Sequence, residues 1–290
     1  MHPNEFLQHV KDNNLKVVEN ELERMSHWAL GRALESAAES GLEDMTGCLL
    51  FHIGPENCLS YTFGALVKAS INGHLRVVQL LLPHFPLQHA GRHLDGKPLY
   101  EAAGNGQLHV VEFLFPHSST TAQQWAMTEA CRESQYEVVV YLMDKVDLTH
   151  DECEGFEYAA RMAVPEIFAL FEPIIPTLPL EKRIRALEWS CQNLTSRATN
   201  VIKILLAHIP DDTDLSNALL YACLHGMNKN AELLYDRVNT HDVLDRLHGN
   251  HTSQYKNWMF FDELLRSQQQ KEVLENEIKI SSNSPSRKKL

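Results

Sequence analysis

Between residues 98 and 115 the apolar and polar positions are spaced so as to specify two short helices. Pro98 and Leu99 open the stretch, and the small pair Ala102 and Ala103 follows three and four positions after Leu99. Gly106 comes three positions later, and then Val110, Val111, Leu114 and Phe115 fall at i, i+1, i+4 and i+5. This spacing predicts a helix, a tight turn at the glycine and a second helix, each with one apolar face. A pair of helices this short cannot bury both faces alone, so it requires neighbours on either side.

The neighbours stand in the same chain. Leu34, Ala37, Ala38 and Gly41 precede Met45, Leu49 and Leu50; Leu66, Ala69, Ser70 and Gly73 precede Val77, Val78, Leu81 and Leu82. Met127, Ala130, Cys131 and Ser134 precede Val138, Val139, Leu142 and Met143, and Phe156, Ala159, Ala160 and Ala163 precede Ile167, Phe168 and Phe171. Leu187, Ser190, Cys191 and Leu194 precede Val201, Ile202, Leu205 and Leu206 across a longer turn, and Leu219, Ala222, Cys223 and Gly226 precede Ala231, Leu234 and Tyr235. The first small residue of each set falls at 37, 69, 102, 130, 159, 190 and 222, so successive sets lie 28 to 33 residues apart. Two helices per unit at a period of about 33 residues is the sequence mark of ankyrin-type repeats.

Individual motifs carry the same resemblance. Asp95-Gly96-Lys97-Pro98-Leu99-Tyr100-Glu101-Ala102-Ala103 resembles the ankyrin opening DG-x-TPLH-x-AA, with the threonine missing and Tyr100 in place of histidine. Gly73-His74-Leu75-Arg76-Val77-Val78-Gln79-Leu80-Leu81-Leu82 resembles the ankyrin second-helix block almost residue for residue. The resemblance spans roughly residues 30–238 and is weakest over 156–172 and 187–208. It implies an all-α solenoid of about seven helix-turn-helix repeats, and it carries a binding mode rather than an activity. The organisation expected is a capping helix region over 1–29, a repeat array over 30–238, a helical cap over 239–280 and a disordered tail over 281–290.

Charge and cysteines narrow the function. The net charge of −12 argues against wholesale phosphate binding, so nucleic acid is not an expected partner. No apolar run approaches about 18 residues, so no membrane insertion is expected, and the N-terminal residues lack the basic-then-apolar order of a secretory signal. Cys131, Cys191 and Cys223 take the second small slot of the motif, where a small apolar side chain lets helices approach. With no CxxC pair and no disulfide framework, a reducing, cytoplasmic setting is expected.

The chain outside the repeats adds less. Residues 6–25 read as a helical lead-in with Leu7, Val10, Asn14, Val18 and Leu22 on the repeat pattern and Lys11 in the small slot. Pro83, Pro86, Gly91, Asp95 and Gly96 mark a long connector, which family geometry makes a projecting finger. Thr120 or Thr121, and Ser216 or Asp214, are expected helix caps. Trp258, Phe261, Leu264 and Leu265 form the apolar stripe of the C-terminal cap. The basic, Ser-rich end resembles the export signals of bacterial type IV secretion effectors, several of which carry divergent ankyrin arrays; secretion into a host cell is the alternative setting.

Candidate chemistry is sparse. His84, His117 and His208 recur after second helices, where a helix C-terminus favours a donor or cation. His89 with His93, and His241 with His248 and His251, lack a regular zinc spacing, and no P-loop, GxGxxG or G-x-S-x-G occurs. No metal, cofactor or catalytic residue is expected, and an enzyme centred on 239–280 or on the proline-rich 173–183 segment is the lesser alternative. Ankyrin arrays bind proteins through finger tips and through the two residues before the turn residue of the inner helix. Mapped here, the partner-binding set is Ile71, Asn72, Gly104, Asn105, Arg132, Glu133, Arg161, Met162, Gln192, Asn193, Leu224 and His225, with Arg92, Asp95 and Lys97 from the finger. Ile71, Met162 and Leu224 are apolar at positions expected to face solvent, which favours a protein partner on the concave face.

Overall fold

The computed structural model describes residues 1–53, 58–84, 96–150 and 153–238, together with Val243. Arg92, Asp95 and the finger around them lie outside those residues, as do the tail from Ser281 and, Val243 apart, the segment 239–280 expected to cap the array. The described residues form sixteen α-helices and no strand. The chain divides into two units, Met1–Pro179 and Leu180–Leu290.

The first unit holds six helix pairs: α1 (Pro3–Lys11) with α2 (Leu15–Glu21), α3 (His27–Glu39) with α4 (Glu43–Ile53), α5 (Cys58–Ile71) with α6 (Leu75–Leu81), α7 (Lys97–Gly104) with α8 (Leu108–Leu114), α9 (Thr120–Arg132) with α10 (Tyr136–Met143), and α11 (Gly155–Met162) with α12 (Pro165–Phe171). Each odd-numbered helix packs against the next odd one and each even against the next even, which makes an inner and an outer layer. The second unit repeats the plan with α13 (Leu180–Ser190), α14 (Ser196–Leu206), α15 (Ser216–Leu224) and α16 (Asn228–Leu234), where α13 packs on α15 and α14 on α16. This is the all-α, ankyrin-type architecture expected from the repeats.

Small side chains set the helix spacing. Ala37, Ala38, Ala69, Ser70, Ala102, Ala103, Ala130, Cys131, Ala159 and Ala160 are all buried in the first unit, as are Ser190, Cys191, Ala222 and Cys223 in the second. A larger residue in these slots would hold neighbouring helices apart and open voids in a core that is otherwise filled. The second-helix apolar sets complete that core: Val77, Val78, Leu81, Val110, Val111, Leu114, Val138, Val139 and Leu142 are at most 1% exposed.

The turn between the two helices of a pair needs a left-handed residue. Gly41, Gly73, Gly106 and Gly226 have φ of +69° to +75°, a region glycine enters without steric cost. Ser134 (φ 59°) and Ala163 (φ 52°) take the same conformation despite their Cβ atoms. The residue after the turn explains where glycine is demanded twice over. His74 Nε2 lies 3.1 Å from the Glu39 carbonyl, Gln107 Nε2 donates to the Ile71 carbonyl at 3.2 Å, and Gln135 Nε2 donates to the Gly104 carbonyl at 2.9 Å. Each side chain reaches back across the preceding turn, so a Cβ on Gly41, Gly73 or Gly106 would come within 2.6, 2.1 and 2.5 Å of it. The next residue in this series is Val164, which has no side-chain amide to offer, and the turn of the preceding pair, to which it would reach back, carries Ser134 instead of glycine.

Two details differ from the expectation, and at α15 one of the two expected caps is the one observed. The N-terminal pair is registered one residue earlier: Phe6 and Val10 are fully buried, Lys11 is exposed and Asn13 makes the left-handed turn at φ 54°. Ser119, rather than Thr120 or Thr121, caps α9, its hydroxyl accepting from the Ala122 N–H at 3.2 Å. At α15 the Asp214 carboxylate does the capping, accepting from the Ser216 N–H at 2.9 Å and from the Ser216 hydroxyl at 2.6 Å.

Candidate functional site

The expected binding pairs stand at the C-terminal ends of the inner helices. Asn72, Asn105, Arg132, Glu133, Arg161 and Met162 are exposed, Ile71, Gly104 and Lys97 partly so. In the second unit Gln192, Asn193 and Leu224 are half-buried and His225 is exposed. Several of these side chains also serve their own backbone. Asn72 and Asn105 donate to the Lys68 and Glu101 carbonyls, each at 2.8 Å, closing the last turn of their helix. Asn193 accepts from the Thr195 N–H at 2.8 Å and so shapes the longer turn before α14.

Two of the pairs come together. Gly104 and Asn105 of α7 and Arg132 and Glu133 of α9 line one cleft of about 280 Å³, completed by Tyr100, Glu101 and Glu129. The last three residues are one helical turn before the expected pairs on the same helix faces. The helical repeat that places i−3 and i−4 beside i is the signal that finds them. The Tyr100 ring meets the Trp125 ring edge-on at 6.1 Å, which fixes the tyrosine at the cleft wall.

Charge in the cleft is unbalanced. Arg132 pairs with Glu129 through Nη2 and with Glu133 through Nε, the latter at 3.3 Å. Burial pushes the Glu129 carboxyl above its usual range, and the neighbouring Glu133 and Glu101 charges push the same way, while Arg132 pulls it down without cancelling them. Burial likewise raises the Tyr100 hydroxyl, with Glu101 and Glu129 adding to it.

Further along the inner layer the pattern changes. Lys68 of α5 pairs with Glu39 of α3 at 2.9 Å and approaches Glu35 at 4.0 Å. The Arg32 guanidinium sits 6.0 Å from the ring of Trp28, which is 60% exposed. The Tyr61 ring lies on Gly31, where a Cβ would come within 2.1 Å of it. The face thus offers charged, aromatic and apolar groups in succession.

Among the described residues no group of three or more His, Cys, Asp or Glu is placed to hold a metal ion, and no helix is long and apolar enough to cross a membrane. Burial holds the Cys131 thiol well above the ordinary range, with Cys153 and Glu157 adding to it, and pushes Cys223 up to about 12.

No curated protein matches the chain. A family model does: ankyrin repeats, in three copies, over residues 34–121 and 66–152. That range runs from the second half of α3 to the end of α10 and holds the turn glycines Gly41, Gly73 and Gly106 and the whole α7–α9 cleft. Ankyrin repeats generally mediate protein–protein interaction. Residues 34–152, with their stacked helix pairs and bridged left-handed turns, match the ankyrin-repeat family.

Proposed function

We propose that the protein is a binding scaffold that docks another protein on its inner-helix face and performs no catalysis of its own. The observation that carries this reading is the exposure of apolar side chains among charged ones on that face: Met162 is 41% exposed at the end of α11, and Ile71 is half-exposed at the end of α5. Neither is needed outside the core for folding, and both stand where a partner would cover them. The mechanism is preorganisation. Side-chain bridges and filled small slots hold the inner helices in place before the partner arrives, so little ordering cost falls on binding. Specificity then resides in the residues just before each turn and one helical turn earlier, which vary from unit to unit. The buried, protonated thiols fit a reducing setting, and the cytoplasm is the compartment we assign.

The reading is tested by comparing capture of partners from cell lysate by the intact chain, by Ile71→Glu/Met162→Glu and by the outer-helix variant Leu80→Glu. Leu80 is also 41% exposed, on α6. Loss of a captured protein in the first variant alone is expected. Equal capture by all three, or loss with Leu80→Glu alone, contradicts the choice of face.

A further inference from the structure

Within that face the α7–α9 cleft differs from its surroundings in sign and in shape. Glu101, Glu129 and Glu133 supply three carboxylates, and Arg132 is the cation among the lining residues, so the cleft carries an excess of two negative charges. Glu101 has no cationic partner among the described residues, and Arg132 engages one oxygen each of Glu129 and Glu133. The remaining carboxylate lone pairs are free to accept. Both α7 and α9 end at the cleft, capped by Asn105 and Glu133, and helix C-termini favour a positive charge.

Gly104 adds an independent sign. Its φ is not left-handed, and a Cβ there would meet Glu129 Cβ and Glu133 Cγ at 3.6 Å, an ordinary contact. Neither backbone nor packing asks for glycine at this helical position, where alanine is intrinsically favoured. What the glycine does is leave the floor of the cleft open. A volume of about 280 Å³ lies at the lower end of small-ligand cavities and suits one long side chain.

We propose that the α7–α9 cleft is the seat of an arginine side chain of the partner protein, its guanidinium held by Glu101, Glu129 and Glu133 and laid against the Tyr100 ring. This rests on the docking reading above and names the chemistry of its central contact. Arginine fits better than lysine for two reasons. Its planar fork offers five donors to carboxylates arriving from two helices, and its face stacks on an aromatic ring. An acidic or apolar anchor would meet uncompensated carboxylates instead.

The test is an amide NMR titration of the full chain with acetyl-Gly-Arg-Gly-amide and with its uncharged counterpart acetyl-Gly-citrulline-Gly-amide. The arginine peptide is expected to shift amides within 100–105 and 129–133, and the citrulline peptide to bind at least about tenfold more weakly, as expected when a charged partner is lost. Glu101→Gln/Glu129→Gln should abolish the difference between the peptides. Gly104→Leu, which fills the floor with a good helix former, should block both while leaving the fold intact. Equal binding of the two peptides, or shifts confined to other helices, overturns the proposal. A partner protein kept by Glu101→Gln/Glu129→Gln and Gly104→Leu but lost by Ile71→Glu/Met162→Glu overturns the arginine seat and leaves the docking face standing.

Discussion

The bridge across the Gly106 turn gives a prediction whose size follows from geometry. In Gly106→Ala the new Cβ must occupy φ 72°, which costs an L-residue about 1–2 kcal/mol. It would also lie 2.5 Å from Gln135 Oε1 and 3.0 Å from Cδ, so the amide has to swing away. That movement breaks the 2.9 Å bond from Gln135 Nε2 to the Gly104 carbonyl, worth about 1 kcal/mol net. The total loss is about 2–3 kcal/mol. In a Gln135→Ala background there is no amide to displace, and the same substitution should cost only the backbone part, about 1–2 kcal/mol. Urea unfolding of the four proteins, followed by circular dichroism, closes the cycle, with an expected coupling of about 1 kcal/mol. An equal cost in both backgrounds would refute the claim that the side chain of one repeat enforces glycine in the turn before it.

The remaining predictions use the same frame. Ser134→Gly should stabilise the chain by about 1 kcal/mol in urea titration, because Ser134 bears the left-handed strain while Val164 presents no amide to be crowded. Ser70 is fully buried with its hydroxyl unpartnered, so Ser70→Ala should raise stability by about 1 kcal/mol in the same assay. Burial pushes the Cys223 thiol up to about 12 from 9.0. The unfolded chain therefore loses that proton first, and stability contributed by the buried thiol is lost as pH rises from 9.0 to about 12. The alkaline decline in melting temperature should accordingly be shallower in Cys223→Ala than in the wild type.

Much of this architecture was legible in the residues. The motif placed Ser134 and Ala163 at turn positions though neither is glycine, and both adopt the left-handed conformation. It placed three cysteines in alanine slots, and all three are buried there. The N-terminal pair shows how legibility fails. Phe6 and Leu7 are both apolar and Asn13 and Asn14 are both asparagine, so a one-residue slip keeps the helical stripe. Only the larger ring in the core and the left-handed Asn13 decide between the registers. The cap of α9 was ambiguous for a similar reason, since Ser118, Ser119, Thr120 and Thr121 are all able to cap. At the site, the pairs before each turn could be read off the repeat, but the cleft could not. Tyr100, Glu101 and Glu129 gain their meaning from the separation of two neighbouring inner helices, a tertiary quantity. The bridging amides are of the same kind, joining residues 31 to 36 positions apart.

Site-specific photocrosslinking puts the docking face to its most direct test. Benzoylphenylalanine is placed at Met162 on the inner layer or at Leu80 on the outer layer, two positions of identical exposure, and cells expressing either protein are irradiated. A discrete adduct to another protein from position 162, without the same adduct from position 80, is the predicted result. The same adduct from both positions, or from position 80 alone, would contradict a partner held on the inner-helix face.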